Sequence, residues 1–188
     1  MGEFRHLDES LVHQGHVWHV AVADFEAPDG RRFTRDIVRS PGAVGVVPLV
    51  FDAEGNPSVV LVSQYRPAYD EIVLEIPAGM RDIEGEDTAT VARRELAEEA
   101  GLEAGHLEHL VAQYPSPGMT DSVLTIFLAT ECTTVPTARQ GPEEDFMELV
   151  HLPLADAVAM IDDGQIRDSK TISGLLLTER RLRLADGS

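Results

Sequence analysis

Basic side chains are scarce in this chain: 15 lysines and arginines stand against 33 aspartates and glutamates, for a formal charge of -18. Such an acidic surface repels phosphate backbones and anionic lipid, and no Lys/Arg cluster relieves it, so nucleic acid and membranes are disfavoured as partners. Cysteine is nearly absent as well. The solitary Cys132 excludes an intramolecular disulfide framework and a cysteine-based zinc cluster, and it fits a reducing, cytoplasmic setting. Long apolar runs are missing; VGVVPLV at 44–50 is among the longest and cannot span a bilayer. The opening MGEFRHLDES lacks the basic-then-apolar pattern of an export signal. There is no glycine-rich phosphate loop of the nucleotide triphosphatases and no G-x-S-x-G elbow; His6, His13, His16 and His19 precede the chemical core, and His106, His109 and His151 form no compact metal-ligand spacing.

What is present suffices for one folded body. Hydrophobic residues make up 43% of 188 positions, enough for a core in a single domain with a small appendage. Residues 16–26 and 32–39 alternate partly around an APDGR turn and predict an N-terminal hairpin outside the main body. Ala43 to Phe51 and SVVLVSQYR at 58–66 are two strands of β formers expected to pair as a hairpin. A short strand over 72–76 runs into the Pro77-Ala78-Gly79 loop. Asp87 to Ala100 has an apolar side of Ala89, Ala92, Leu96 and Ala100, with Gly101 as its terminator, and predicts a helix. Further strands are expected over 111–114, 124–130 and 146–151, and helices over 154–163 and 168–181. In the last helix Asp168 to Thr171 is assigned capping and packing, with no chemistry.

Acidic residues concentrate at Arg94-Glu95-Leu96-Ala97-Glu98-Glu99. On a helix Glu95 and Glu99 share a face at i,i+4, and Glu98 sits beside them. Three such carboxylates suit either an ordinary solvated helix face or a site of hard oxygen ligands for Mg²⁺ or Mn²⁺. The tight loop at Ala78, whose carbonyl lies within reach of a cation, and Arg94, which can orient the carboxylates, favour the second.

The same stretch resembles the Nudix hydrolase signature, with Gly79, Glu86, Arg94-Glu95-Leu96, Glu98-Glu99 and Gly101-Leu102 in the matching places. Six residues rather than the usual five separate Gly79 from Glu86, an extension that Gly85 can absorb as a bulge. Gln64-Tyr65-Arg66-Pro67, Leu74 to Gly79, and Ser116 to Asp121 resemble the ADP-ribose pyrophosphatase branch, although Ser122 stands where relatives commonly have glutamate. The resemblance implies an α/β fold, the Nudix-type α/β/α sandwich with a mixed sheet over 41–188. It further implies an N-terminal antiparallel β extension over 1–40 that forms a homodimer.

The implied activity is Mg²⁺-dependent hydrolysis of ADP-ribose to AMP and ribose 5-phosphate. Alternatives are a broader nucleoside diphosphate-sugar or dinucleotide pyrophosphatase, or a catalytically silent ADP-ribose-binding protein. Carried over residue by residue, Ala78, Glu95, Glu98 and Glu99 hold the metal, and Glu86 and Arg94 support that shell. Arg66 grips phosphate, and Glu75 helps hold substrate or the metal shell. Glu144, with Glu143 and Asp145 as neighbours in a sliding alignment, positions the attacking water. Trp18 stacks on adenine or packs at an interface, and Met119 shapes a nucleoside pocket or fills a loop cavity.

Overall fold

The computed structural model describes residues 2–52, 54–137, 146–185 and 187. The chain divides into two compact units, Met1–Gly42 with Tyr114–Val123, and Ala43–Gln113 with Leu124–Ser188.

The first unit holds an antiparallel sheet in the order β1 (Arg5–Gln14), β2 (His19–Glu26), β3 (Arg32–Arg39). The expected hairpin is therefore a three-stranded sheet. β1 escapes prediction because its polar and apolar residues do not alternate cleanly, its side chains are almost all exposed, and its pairing with β2 slips between His6 and Asp8 and between Leu11 and His13. Residues 114–123 join this unit: the Met119 carbonyl accepts from the Val38 N–H at 2.9 Å, and Asp121 accepts from Arg39 at 3.1 Å and from the Ser40 N–H at 3.0 Å.

The second unit is built on a seven-stranded mixed sheet. Its strands are β4 (Ala43–Phe51), β5 (Pro57–Arg66), β6 (Glu71–Glu75), β7 (Ala78–Met80), β9 (His106–Gln113), β10 (Leu124–Thr130) and β12 (Glu148–Pro153). The main path runs β12-β5-β4-β10-β9, with β6 on β5 and β7 on β4. β8 (Leu102–Glu103) and β11 (Thr133–Thr134) form a small separate ladder. Helix α1 (Thr88–Ala100) covers one face; α2 (Leu154–Asp162) and α3 (Ser169–Ala185) cover the other. β4 and β5 read as nearly unbroken apolar runs because both faces are buried. Val44, Val46 and Val60 pack under Val91, Ala92 and Leu96 of α1, while Val47, Leu49, Val59 and Leu61 pack with Leu154, Ala157 and Leu175. Burying such side chains stabilises by about 1.5–3 kcal/mol each. This is the α/β/α sandwich with a mixed sheet and N-terminal antiparallel strands.

One departure from the expected pairing shapes the functional region. β4 and β5 form a hairpin only over Leu49–Phe51 with Pro57–Val59. Beyond that point they splay: β4 pairs in parallel with β10 over Ala43–Pro48 and antiparallel with β7, and β5 turns to β6 over Val62–Arg66. The stretch expected as a loop at 78–80 is itself strand β7, pinned by the Pro77 carbonyl, which accepts from the Val46 N–H at 2.9 Å. The end of β5 and strand β7 thus become two walls of one opening.

Candidate active site

Helix α1 begins where local chemistry dictates. Asp87 caps it, its Oδ1 accepting from the N–H groups of Ala89 at 2.9 Å and Thr90 at 3.1 Å. Gly101 ends it at φ 62°, a left-handed conformation that glycine adopts without penalty. Between those caps the apolar side buries Val91, Ala92 and Leu96, and the same packing drives Glu95 and Glu99 inward to 7% and 4% exposure. Glu98 lies one step round the helix and is more open.

These residues form one wall of a cleft of about 330 Å³, completed by Gln64 to Arg66 of β5, Pro67 just after it, and Ala78 to Met80 of β7. Arg94, Glu95, Glu98 and Glu99 line it together with Asp82. Arg94 is the hub. Its Nη1 lies 2.8 Å from Glu95 and 3.6 Å from Glu98, and its Nη2 lies 3.3 Å from both Asp82 and Glu86. Burial disfavours its charge, but Glu95 and Glu86 outweigh that and hold the guanidinium above its ordinary value. Glu86 therefore reaches its partner despite the extra residue before it. Gly85, at φ 81°, takes up the insertion in a turn closed by the Glu86 N–H on the Ile83 carbonyl at 3.2 Å.

Glu99 accepts from the Ala78 N–H at 2.8 Å, which ties helix to strand. Gly79 is required by a close approach: a Cβ there would fall 2.0 to 2.3 Å from the carboxyl atoms of Glu95. β7 and α1 are so near that a buried carboxylate occupies the space of a missing side chain.

Arg66 and Glu75, both predicted site residues, are joined to each other. Arg66 donates from Nε to Oε1 at 2.6 Å and from Nη2 to Oε2 at 2.7 Å, a bidentate pair. Glu75 is only 2% exposed and also bonds Lys170 Nζ of α3; Lys170 in turn lies 3.1 Å from Asp168. Burial pushes the Glu75 carboxyl up, yet the Arg66 hydrogen bond and the Lys170 charge overcome it and hold it below the usual glutamate range. Glu75 thus sits in the support of the cleft wall, and Arg66 lines the cleft itself with its outer edge. Lys170 carries this network although the sequence suggested only capping and packing for its segment. Capping is present too: Asp168 accepts from the Thr171 N–H at 2.9 Å, and Thr171 Oγ1 accepts from the Ile76 N–H at 2.8 Å.

Trp18 and Met119 are exposed side chains of the first unit. In that unit Asp121 accepts from Arg39 and from the Ser40 N–H at 3.0 Å, and Ser122 donates its N–H to Thr120 Oγ1 at 3.1 Å. Glu143, Glu144 and Asp145 lie outside the described residues.

The donor chemistry of the cleft suits a hard divalent cation. Arg66 is matched by Glu75, which leaves Arg94 facing Asp82, Glu86, Glu95 and Glu98, an excess of carboxylate oxygen in a confined space. Among the described residues no three acidic, histidine or cysteine side chains converge on one point as arranged. Glu95 and Glu98 are turned to Arg94, and Glu99 to the Ala78 N–H. A cation entering here competes with Arg94 for the first two. Among the described residues no helix is long and apolar enough to cross a membrane.

The chain is similar to known proteins in sequence and in fold. The NUDIX domain model matches residues 39–175. An ADP-ribose pyrophosphatase of Bacillus subtilis is 34% identical over 169 residues, 90% of this chain and 89% of that protein. A methanol dehydrogenase activator of Bacillus methanolicus is 35% identical over 170 residues, with the same coverage. A GDP-mannose pyrophosphatase of Yersinia enterocolitica is 36% identical over 124 residues, 62% of this chain and 64% of that protein. Among solved structures, one described as an ADP compounds hydrolase superposes with a TM-score of 0.83 at 24% identity, covering 98% of this chain and 97% of the other, a likeness of fold.

Proposed function

This chain belongs to the Nudix family, and on that premise we propose that it is a divalent-cation-dependent pyrophosphatase acting on nucleoside diphosphates linked to a second moiety. The observation that carries the proposal is the cleft in which Arg66 and an excess of buried carboxylate oxygen face the same space. A diphosphate brings negative charge into a negative cleft, so cations are needed to neutralise both. Glu95, Glu98 and Glu99 are the residues that would hold them, with Ala78 beside them on β7. When bound, such ions supply charge neutralisation and an acidified water.

The chain's own residues do the rest. Arg94, supported by Glu86, holds the carboxylates of Glu95 and Glu98 in place. Arg66, aligned by Glu75 and Lys170, presents its free edge to a phosphate. Glu144, or its neighbour Glu143 or Asp145, positions the attacking water.

ADP-ribose, cleaved to AMP and ribose 5-phosphate, is the first substrate to test, given the B. subtilis relative. The Yersinia relative carries a different base and sugar in its name, so the broader class is the firmer conclusion. The N-terminal strands over 1–40 are proposed to pair two copies; exposed Leu7, Leu11, Val12 and Trp18 in and beside β1 support that role. Monomeric sedimentation at micromolar concentration would reject it.

The test of function is a product survey. Protein and Mg²⁺ are incubated with ADP-ribose, ADP-glucose, GDP-mannose, diadenosine polyphosphates and NADH, and products are identified by mass. Release of a nucleoside monophosphate supports the proposal. Retained affinity for ADP-ribose with no product at saturating Mg²⁺ and Mn²⁺ would instead mark a silent binding protein.

A further inference from the structure

Gln64 lines the cleft and is 4% exposed. It stands on β5 two residues before Arg66, so both side chains leave the same face of the strand, separated by about 7 Å along it. The Arg66 side chain is partly open to solvent, whereas Gln64 is nearly buried, as Glu95 and Glu99 are. The ionised groups and Tyr65 that line this cleft all have protein partners: Tyr65 donates to Asp70 at 2.7 Å, Arg66 pairs with Glu75, Glu99 accepts from Ala78, and the others surround Arg94. The side-chain amide of Gln64 has no hydrogen-bond partner among the described residues, and the residue lines the cleft. A nearly buried amide without a protein partner adds no hydrogen bond to the fold, so a hydrocarbon of the same shape in its place removes no stabilising contact.

We propose that Gln64 is a substrate-binding residue whose amide N–H donates to a non-bridging oxygen of the substrate's diphosphate. The amide is neutral, so it adds no charge to an acidic floor, and it supplies a donor where the surrounding carboxylates offer only acceptors. A charged donor at this depth would pair with Glu95 or Glu99 and be lost to the substrate. The inference rests on the pyrophosphatase reading of the cleft and names one contact within it.

Three variants and three readouts test it. Gln64→Met keeps the shape and removes both donor and acceptor; Gln64→Glu keeps an acceptor, removes the donor and adds a charge. Binding of α,β-methylene-ADP-ribose in Mg²⁺ is measured by calorimetry beside kcat/KM for ADP-ribose and a thermal melt of each protein. A hydrogen bond to a charged oxygen corresponds to about a ten- to hundred-fold loss of affinity and of kcat/KM in Gln64→Met. Gln64→Glu loses more, and Tm of Gln64→Met is unchanged or raised. Gln64→Asn, whose amide is too short to reach, follows Gln64→Met.

Wild-type affinity in Gln64→Met, or a Tm that falls while affinity holds, overturns the inference and gives Gln64 a structural role. Full activity in Gln64→Glu overturns the donor assignment. If the wild type binds the analogue but hydrolyses nothing, and Gln64→Met loses that binding, the contact stands and the pyrophosphatase reading alone fails. If the wild type neither binds nor hydrolyses, both fall.

Discussion

Gly79 and Glu95 occupy what is nearly one volume: the carboxyl atoms of Glu95 lie 2.0 to 2.3 Å from the place where a Cβ on residue 79 would stand. The helix that bears the acidic cluster and the strand that bears Ala78 approach this closely only because residue 79 has no side chain.

Gly79→Ala is therefore expected to move the Glu95 carboxylate by an ångström or more while leaving the sandwich folded, since the clash is with a side chain at the edge of the core. Displacements of this size in a reacting site reduce turnover about a hundred-fold. Steady-state kinetics alongside circular dichroism would check it; an unaltered rate would show that the position of Glu95 does not matter.

Glu99→Gln keeps an oxygen that can accept from the Ala78 N–H, so the link between α1 and β7 survives while the charge is lost. The account predicts a folded protein whose Mg²⁺ requirement rises by about ten- to a hundred-fold or more. A metal titration of activity would reveal this, and an unchanged half-saturating Mg²⁺ concentration would remove Glu99 from the metal-holding set.

Lys170→Met takes one of two cations from a carboxylate that is 2% exposed. Arg66 remains, so the loss should be smaller than that of a wholly broken buried pair, about 1–3 kcal/mol. Urea unfolding would show it as a lower midpoint with the same slope. No change in midpoint would mean that Arg66 alone satisfies Glu75.

Glu75 also sets a pH dependence of known sign. Its folded carboxyl titrates below the ordinary value of 4.5, so the unfolded chain binds the proton first as pH falls. The stabilisation from Glu75 is present in full above that value and is lost as pH drops through the lower, folded one. Wild-type Tm should fall more steeply than that of Glu75→Gln between about pH 5 and pH 3. Parallel melting curves for the two proteins across that window would contradict it.

How much of this could be read from the sequence depends on how local each signal is. Helix α1 was legible at both ends because Asp87 caps within three residues and Gly101 terminates in place, and the acidic spacing needs only helical geometry. The resemblance to a known signature located Gly79, Glu86 and Arg94 for the same reason. Strand β1 was not legible, since its side chains are exposed and irregular and its order comes from pairing with β2. Neither was the splaying of β4 from β5, which depends on β10 lying parallel to β4 some 80 residues later in the chain. Lys170 was passed over because its partner Glu75 is 95 residues away and only packing joins them. Gln64 opens the Gln64-Tyr65-Arg66-Pro67 motif, but nothing in the motif gives it a role; its burial beside a charged cleft appears only once the sheet is folded.

The central claim is that water opens the diphosphate of a nucleoside-linked substrate in this cleft. Hydrolysis of ADP-ribose in ¹⁸O-labelled water with Mg²⁺, read by mass spectrometry of the products, tests it most directly. The account predicts AMP and ribose 5-phosphate with one labelled oxygen in a single product phosphate, and none of this after chelation of the metal. Failure to form any labelled monophosphate from ADP-ribose, GDP-mannose or the other linked nucleoside diphosphates would contradict it.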